Sequence, residues 1–190
     1  MSKGLKTALI VMGVLLSLCI VGGGVVYFAG RSLVGQAFIT DSAQAAQVGK
    51  EIAEFDKPAG YTEQMAMNLA GVKMLMLTNG DKASGGVIMM MQAPAGSLSE
   101  SDLKARMQQS FNQSMGRNNI TLSVSGTQDV VIKGKTVKME MSEGTNDKGV
   151  KIRQGVVVFN GKGGPAVLML MGSEADWDNE KIDAFLSSIK

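Results

Sequence analysis

The apolar positions along this chain change period several times, and each change predicts an element. Ala45, Val48, Ile52 and Phe55 recur at helical spacing behind Thr40 and Asp41, either of which can cap a helix. Pro58 and Gly60 end that segment. Residues 63–69 then alternate, with Met65, Met67 and Leu69 on one side of a strand. Residues 72–78 and 85–93 are almost continuously apolar around a polar turn, which predicts a hairpin covered on both faces. A second helix is expected from Ser99. Ser99 and Asp102 fit a capping box, Leu98 and Leu103 fit a hydrophobic staple, and Leu103, Met107, Phe111 and Met115 form one stripe ending at Gly116.

Alternation resumes in two short pieces, 121–125 and 129–133. The second turns at Gly134 into 136–141, where Val137, Met139 and Met141 are expected to face inward. Residues 150–160 and 165–172 make a last hairpin, whose turn glycines are expected to supply a positive φ. A closing helix begins near Ala175, with Trp177, Ile182, Phe185, Leu186 and Ile189 as its apolar side.

Upstream of these elements, residues 7–30 carry no charge over 24 consecutive positions. As a helix rising ~1.5 Å per residue, such a run spans the ~30 Å hydrocarbon core of a bilayer. It is longer than the ~7–15 apolar residues of a signal peptide, and Tyr27 stands where cleavage needs a small residue. Leu18, just before Cys19, likewise departs from a lipidation site. A retained transmembrane helix is therefore expected. Lys3 and Lys6 precede the run and Arg31 follows it, so the positive-inside rule places the N-terminus in the cytoplasm and the remainder in the periplasm or at the cell surface. The expected organisation is a cytoplasmic tip and anchor over 1–31, a connecting segment with a short helix over 32–54, and an extracytoplasmic domain over 55–190. The expected fold class is α+β, an antiparallel sheet packed with helices behind one N-terminal transmembrane helix.

Composition narrows the chemistry. Beyond Arg31, 16 basic residues face 17 acidic ones with no basic run, which argues against nucleic-acid binding. The single cysteine, Cys19, lies in the apolar run, so the outer domain has no thiol or disulfide chemistry. With 0 histidines there is no Ser-His-Asp triad, no Cys-His pair and no histidine-ligated zinc. No cofactor and no catalytic residue is assigned. Paired carboxylates could still do acid-base work, which leaves a carboxylate-dependent hydrolase as one alternative. The acidic stretch 174–180 lacks the glycine and later glutamate of a calcium loop and reads as the acidic start of a helix.

Methionine is heavily used, at 15. Five pairs sit at i, i+2: Met65/Met67, Met74/Met76, Met89/Met91, Met139/Met141 and Met169/Met171. On a strand this spacing puts both thioethers on one face, and thioethers select Cu(I). A soft-metal site through Met89, Met91, Met139 and Met141 is the alternative reading. The plainer one is that methionine, flexible and apolar, fills a core at inward-facing positions.

The stretch Phe55-Asp56-Lys57-Pro58-Ala59-Gly60-Tyr61 resembles the opening of PsbP-like domains, the group of photosystem accessory proteins and their Ran-binding relatives. The close, Phe185-Leu186-Ser187-Ser188-Ile189-Lys190, is similar to their final helix with its late serine. The resemblance spans residues 52–190. It implies an α/β/α sandwich that acts by binding other proteins, and it carries no site residue. The expected function is thus a non-catalytic, membrane-anchored accessory module that binds another envelope protein.

Overall fold

The computed structural model describes residues 37–80, 86–116 and 120–190. Eight strands form: β1 (Phe38–Ile39), β2 (Tyr61–Leu69), β3 (Val72–Asn79), β4 (Val87–Gln92), β5 (Thr121–Ile132), β6 (Lys135–Thr145), β7 (Lys151–Asn160) and β8 (Pro165–Ser173). Among the described residues, three helices accompany them: α1 (Ser42–Ile52), α2 (Glu100–Gly116) and α3 (Asn179–Ser188). All strands belong to one antiparallel sheet in the order β1-β2-β3-β4-β8-β7-β6-β5. After β4 the chain crosses one face as α2, runs down the far side as β5, β6 and β7, and returns as β8 beside β4.

Each helix starts where a short polar side chain takes up an orphan N–H group. Asp41 accepts the Gln44 N–H at 2.9 Å, Ser99 accepts the Asp102 N–H at 3.1 Å, and Asp178 accepts the Lys181 N–H at 3.2 Å. The Ser99 hydroxyl also donates to the Asp102 carboxylate at 2.6 Å. The staple holds too, since Leu98 packs against the cluster that buries Leu103. Met107 follows Leu103 into the same cluster, whereas the side chains of Phe111 and Met115 lie outside the described residues.

The sheet carries a core on each face. On one side α1 and α3 cover Leu75, Met90, Met139 and Leu168 with Val48, Ile52 and Leu186. The helix assigned to the connecting segment is thus part of this core. Gly49 lets it approach closely, because a Cβ there would stand 2.6 Å from Leu75 Cδ2. The other face is covered by α2 and is dominated by methionine.

The two pieces expected at 121–125 and 129–133 are a single strand, β5. Its register with β6 shifts between Val124 and Gly126, leaving Ser125 as a bulge. One extra residue inverts the side-chain parity. Leu122 and Val124 therefore share the α2 face with Ser142, while Val130 and Ile132 enter the core under α3. A break in alternation looks like a strand end from sequence alone.

Two expectations are corrected here. The fold is not the expected α/β/α sandwich behind a transmembrane helix. It is largely β, one eight-stranded antiparallel sheet with three helices that overlie parts of its faces. The fused β5 and the length of β6 and β7 make the sheet the body of the molecule. No transmembrane helix supports the expected anchor either. Among the described residues, no helix is long and apolar enough to cross a membrane. Residues 7–30, on which that expectation was placed, lie outside the described residues.

Candidate functional site

The four methionines weighed as soft-metal ligands are divided by the sheet. Met89 and Met91 belong to the face under α2, and Met139 and Met141 to the face under α1 and α3. The register gathers a different set. Met65, Met76, Met89 and Met169 are successive partners across β2, β3, β4 and β8, and Met67, Met74 and Met91 form the next row. These seven are 0–7% exposed. Directly opposed side chains lie ~5 Å apart and pack against one another. Gln154 Nε2 donates to Met169 Sδ at 3.0 Å. The i, i+2 spacing reveals the faces but not the rows, since pairing partners are not adjacent in sequence. No group of three or more histidine, cysteine or acidic side chains that could hold a metal occurs among the described residues.

Several of the acids that acid-base chemistry could use are bound to cations. Glu174 pairs with Arg153 at 2.9 Å and Lys151 at 3.3 Å, and Glu143 with Arg153 at 3.2 Å. Glu140 meets Lys104 at 2.8 Å and also accepts Gln108 Nε2, closing the rim of a cavity of about 60 Å³ beneath α2. That volume has room for only a few waters. Glu63 lies within 2.8 Å of Lys57. Burial pushes its carboxyl up, but hydrogen bonds from Lys57, its own backbone and Ser42 outweigh that and hold it below the usual value.

A more open site lies at the end of the sheet on the α1/α3 face, with a cleft volume of about 90 Å³. Ile88, Leu170 and Phe185 form its apolar floor, while Tyr61 and Trp177 form its aromatic wall. Gly86 makes room for Tyr61, because a Cβ there would collide with the phenol hydroxyl. Burial pushes the Tyr61 phenol up, Asp176 adds to this, and Lys181 opposes it. Trp177 Nε1 donates to Asn179 Oδ1 at 3.1 Å, which leaves the indole half-buried on the wall.

The rim acids are occupied as well. Asp176 accepts the Ser173 hydroxyl at 2.7 Å, which closes the single 3-10 turn Glu174–Asp176. Asp178 caps α3 and meets Lys181 Nζ at 2.8 Å, and the hydrogen bond from that lysine holds its carboxyl below the ordinary carboxylate pKa. Sequence reading placed Trp177 on the apolar side of a helix. The structure instead ends the 3-10 turn at Trp177 and starts α3 two residues later. The cleft joins residues 58–61, 79, 86–88 and 170–185, which only the folded chain brings together. Comparison with protein-family models and with curated proteins finds no match.

Proposed function

We propose that the protein is a non-catalytic accessory module that holds another protein by lodging one of its side chains in the Tyr61–Trp177 cleft. The observation that carries this reading is the make-up of the cleft. It has an apolar floor, two aromatic walls with polar tips, and rim carboxylates engaged with Ser173 and Lys181. Buried aromatics in a side-chain-sized pocket are the usual anchors of protein interfaces. A glycosidase-type carboxyl pair asks for one acid held above its ordinary value, and Asp178 is displaced the other way. Placement outside the cytoplasm rests on the charge-free run of residues 7–30 and the lysines before it.

Crosslinking in intact cells followed by affinity capture tests the reading. The wild-type protein should return one reproducible partner. Trp177→Ala should lose that partner, while Lys138→Ala, on β6 away from the cleft, should keep it. Equal capture by Trp177→Ala, or no reproducible partner together with turnover of an envelope substrate, would overturn the proposal.

A further inference from the structure

We propose that a second copy of this chain adds to the outer edge of β5, related by a two-fold axis, so that Val124 of each copy lies opposite Val131 of the other. The motivation begins with the edge itself. β5 spans 12 residues at one end of the sheet, and among the described residues no strand pairs with its outer side. At the opposite end, β1 pairs only two residues and α1 packs beside β2. Natural sheets blunt a long free edge with lysine, proline or a bulge. β5 contains no lysine and no proline, and its bulge at Ser125 is the one such device it has.

Two of the large exposed hydrophobic residues sit on this strand, Val124 at 66% and Val131 at 45%. Both project to the α2 side of the sheet. Their own neighbours on β6 are Ser142 and Thr136, so neither finds a large apolar partner within its own chain. A two-fold axis at Gln128 supplies one. With Ser125 passed over, as it already is against β6, Asp129 falls opposite Thr127, Val130 opposite Gly126, and Val131 opposite Val124. Every opposed pair then lies on the same face, as antiparallel pairing requires, even though each strand carries a parity inversion. A register one residue away would oppose side chains of opposite faces.

Charge permits the same arrangement. Asp129 is the one charged residue in β5, and it faces an uncharged threonine while its carboxylate meets Lys138 of its own chain at 2.9 Å. No like charges are opposed along the seam. The cleft is built from β2, β3, β4, β8 and α3 and stays open, so pairing through β5 goes beyond the proposed partner-binding role and does not depend on it.

The test uses the full-length chain with Cys19→Ser, which removes the single native thiol. Val124→Cys and Val131→Cys are introduced singly and together, intact cells are treated with a mild oxidant, and dimers are read on non-reducing gels. The double variant should form a covalent dimer. Each single variant should stay monomeric, since its two copies sit about 20 Å apart at ~3.3 Å per residue along the strands. Both positions are exposed, so folding should be unaffected, and protease resistance checks this. A monomeric double variant, or single variants that crosslink equally well, would overturn the proposal. Sedimentation gives a second reading: the wild-type protein should run at twice the monomer mass and the Val124→Lys, Val131→Lys protein as a monomer. A wild-type monomer, or a dimer indifferent to the lysines, would likewise defeat it.

Discussion

Phe55 and Phe185 meet edge to face, with ring centroids 5.8 Å apart and planes at 87°. The two stretches that contain them are clasped on either side of this contact. Asp56 donates its backbone N–H to the Ser188 hydroxyl at 3.0 Å, and Lys190 donates its own to the Glu54 carbonyl at 2.9 Å. These are the opening and closing stretches on which the family resemblance rests, separated by more than a hundred residues. Their contact gives both a structural reason to be as they are. The aromatic pair seals the end of the α1/α3 core, and the late serine supplies an acceptor for a backbone donor that α1 has left behind.

Phe185→Ala should therefore be among the costlier substitutions in the chain. Phe185 is 3% exposed, and emptying such a site costs about 3–5 kcal/mol. Ser188→Ala should cost about 1 kcal/mol, by leaving the Asp56 N–H without its partner. Urea unfolding checks both, and a Phe185→Ala cost below that of Ser188→Ala would contradict this account of the clasp.

The turn between β7 and β8 makes a second case. Gly164 has a φ of 147°, but Gly161 and Gly163 are needed for space. A Cβ on Gly161 would stand 2.5 Å from Gln92 Oε1, and one on Gly163 would stand 2.6 Å from Gln92 Nε2. Gln92 is 1% exposed and accepts the Gly163 N–H at 2.9 Å, so it has little freedom to withdraw. Gly163→Ala should destabilise by roughly 1–3 kcal/mol. In a Gln92→Ala background that cost should shrink by at least about 0.5 kcal/mol, and strict additivity of the two changes would refute the clash.

Removing Ser125 probes the bulge. Its deletion would carry Leu122 and Val124 to the α3 side or force the Val130 and Ile132 side chains out of their core. Either outcome should cost on the order of a few kcal/mol, well beyond an ordinary surface change. Ser125→Ala keeps the residue count and should be nearly neutral. Comparable urea midpoints for the deletion and the substitution would disprove the parity argument.

The methionine rows predict an order of oxidation. Met141 and Met171 are half-buried, whereas Met74, Met90 and Met139 are 0% exposed. Dilute peroxide followed by peptide mass spectrometry should find the first two as sulfoxides while the other three remain intact. Under reducing conditions, titration with Cu(I) should show no stoichiometric binding, because the thioethers are packed against one another and not around an open space.

Acid should weaken the fold. Hydrogen bonding from Lys162 lowers Glu54, and Lys181 does the same for Asp178. Burial raises Glu63, but Lys57, its own backbone and Ser42 more than reverse it. Each folded-state value lies below the ordinary 4.5 or 3.8. The stability these groups contribute is complete above the ordinary values and is lost as pH falls through the depressed ones. Tyr61 works at the other end. Its value is raised, so its contribution is intact below 10.0 and fades as pH climbs through the folded value. Melting temperatures measured across both windows check the signs, and a rise on acidification below 4.5 would contradict them.

Much of the local structure could be read directly. Asp41 and Ser99 cap helices because a side chain and the N–H groups it satisfies are three residues apart or fewer, whereas the last helix, expected from near Ala175, starts only after its cap at Asp178. Met65, Met67 and Leu69 share a face because pleating alternates side chains with a period of two. The breadth of the sheet was less legible, since the extra residue at Ser125 imitates the end of a strand. The cleft was not legible at all. Its floor at Ile88 and Leu170 and its walls at Tyr61 and Trp177 lie on segments that carry no signal of one another.

By itself, then, the amino-acid order determined roughly where most elements lie, how α1 and α2 are capped and which positions of the apolar strands turn inward, because those properties depend on neighbours a few residues away. It also excluded histidine and thiol chemistry from the domain. The tertiary structure decided what stands beside what: the rows of methionine across four strands, the inverted parity of β5, the aromatic clasp of Phe55 on Phe185, and the cleft. Register and crossover are properties of pairs of distant segments, and only the assembled sheet, which puts β8 beside β4, brings those segments together.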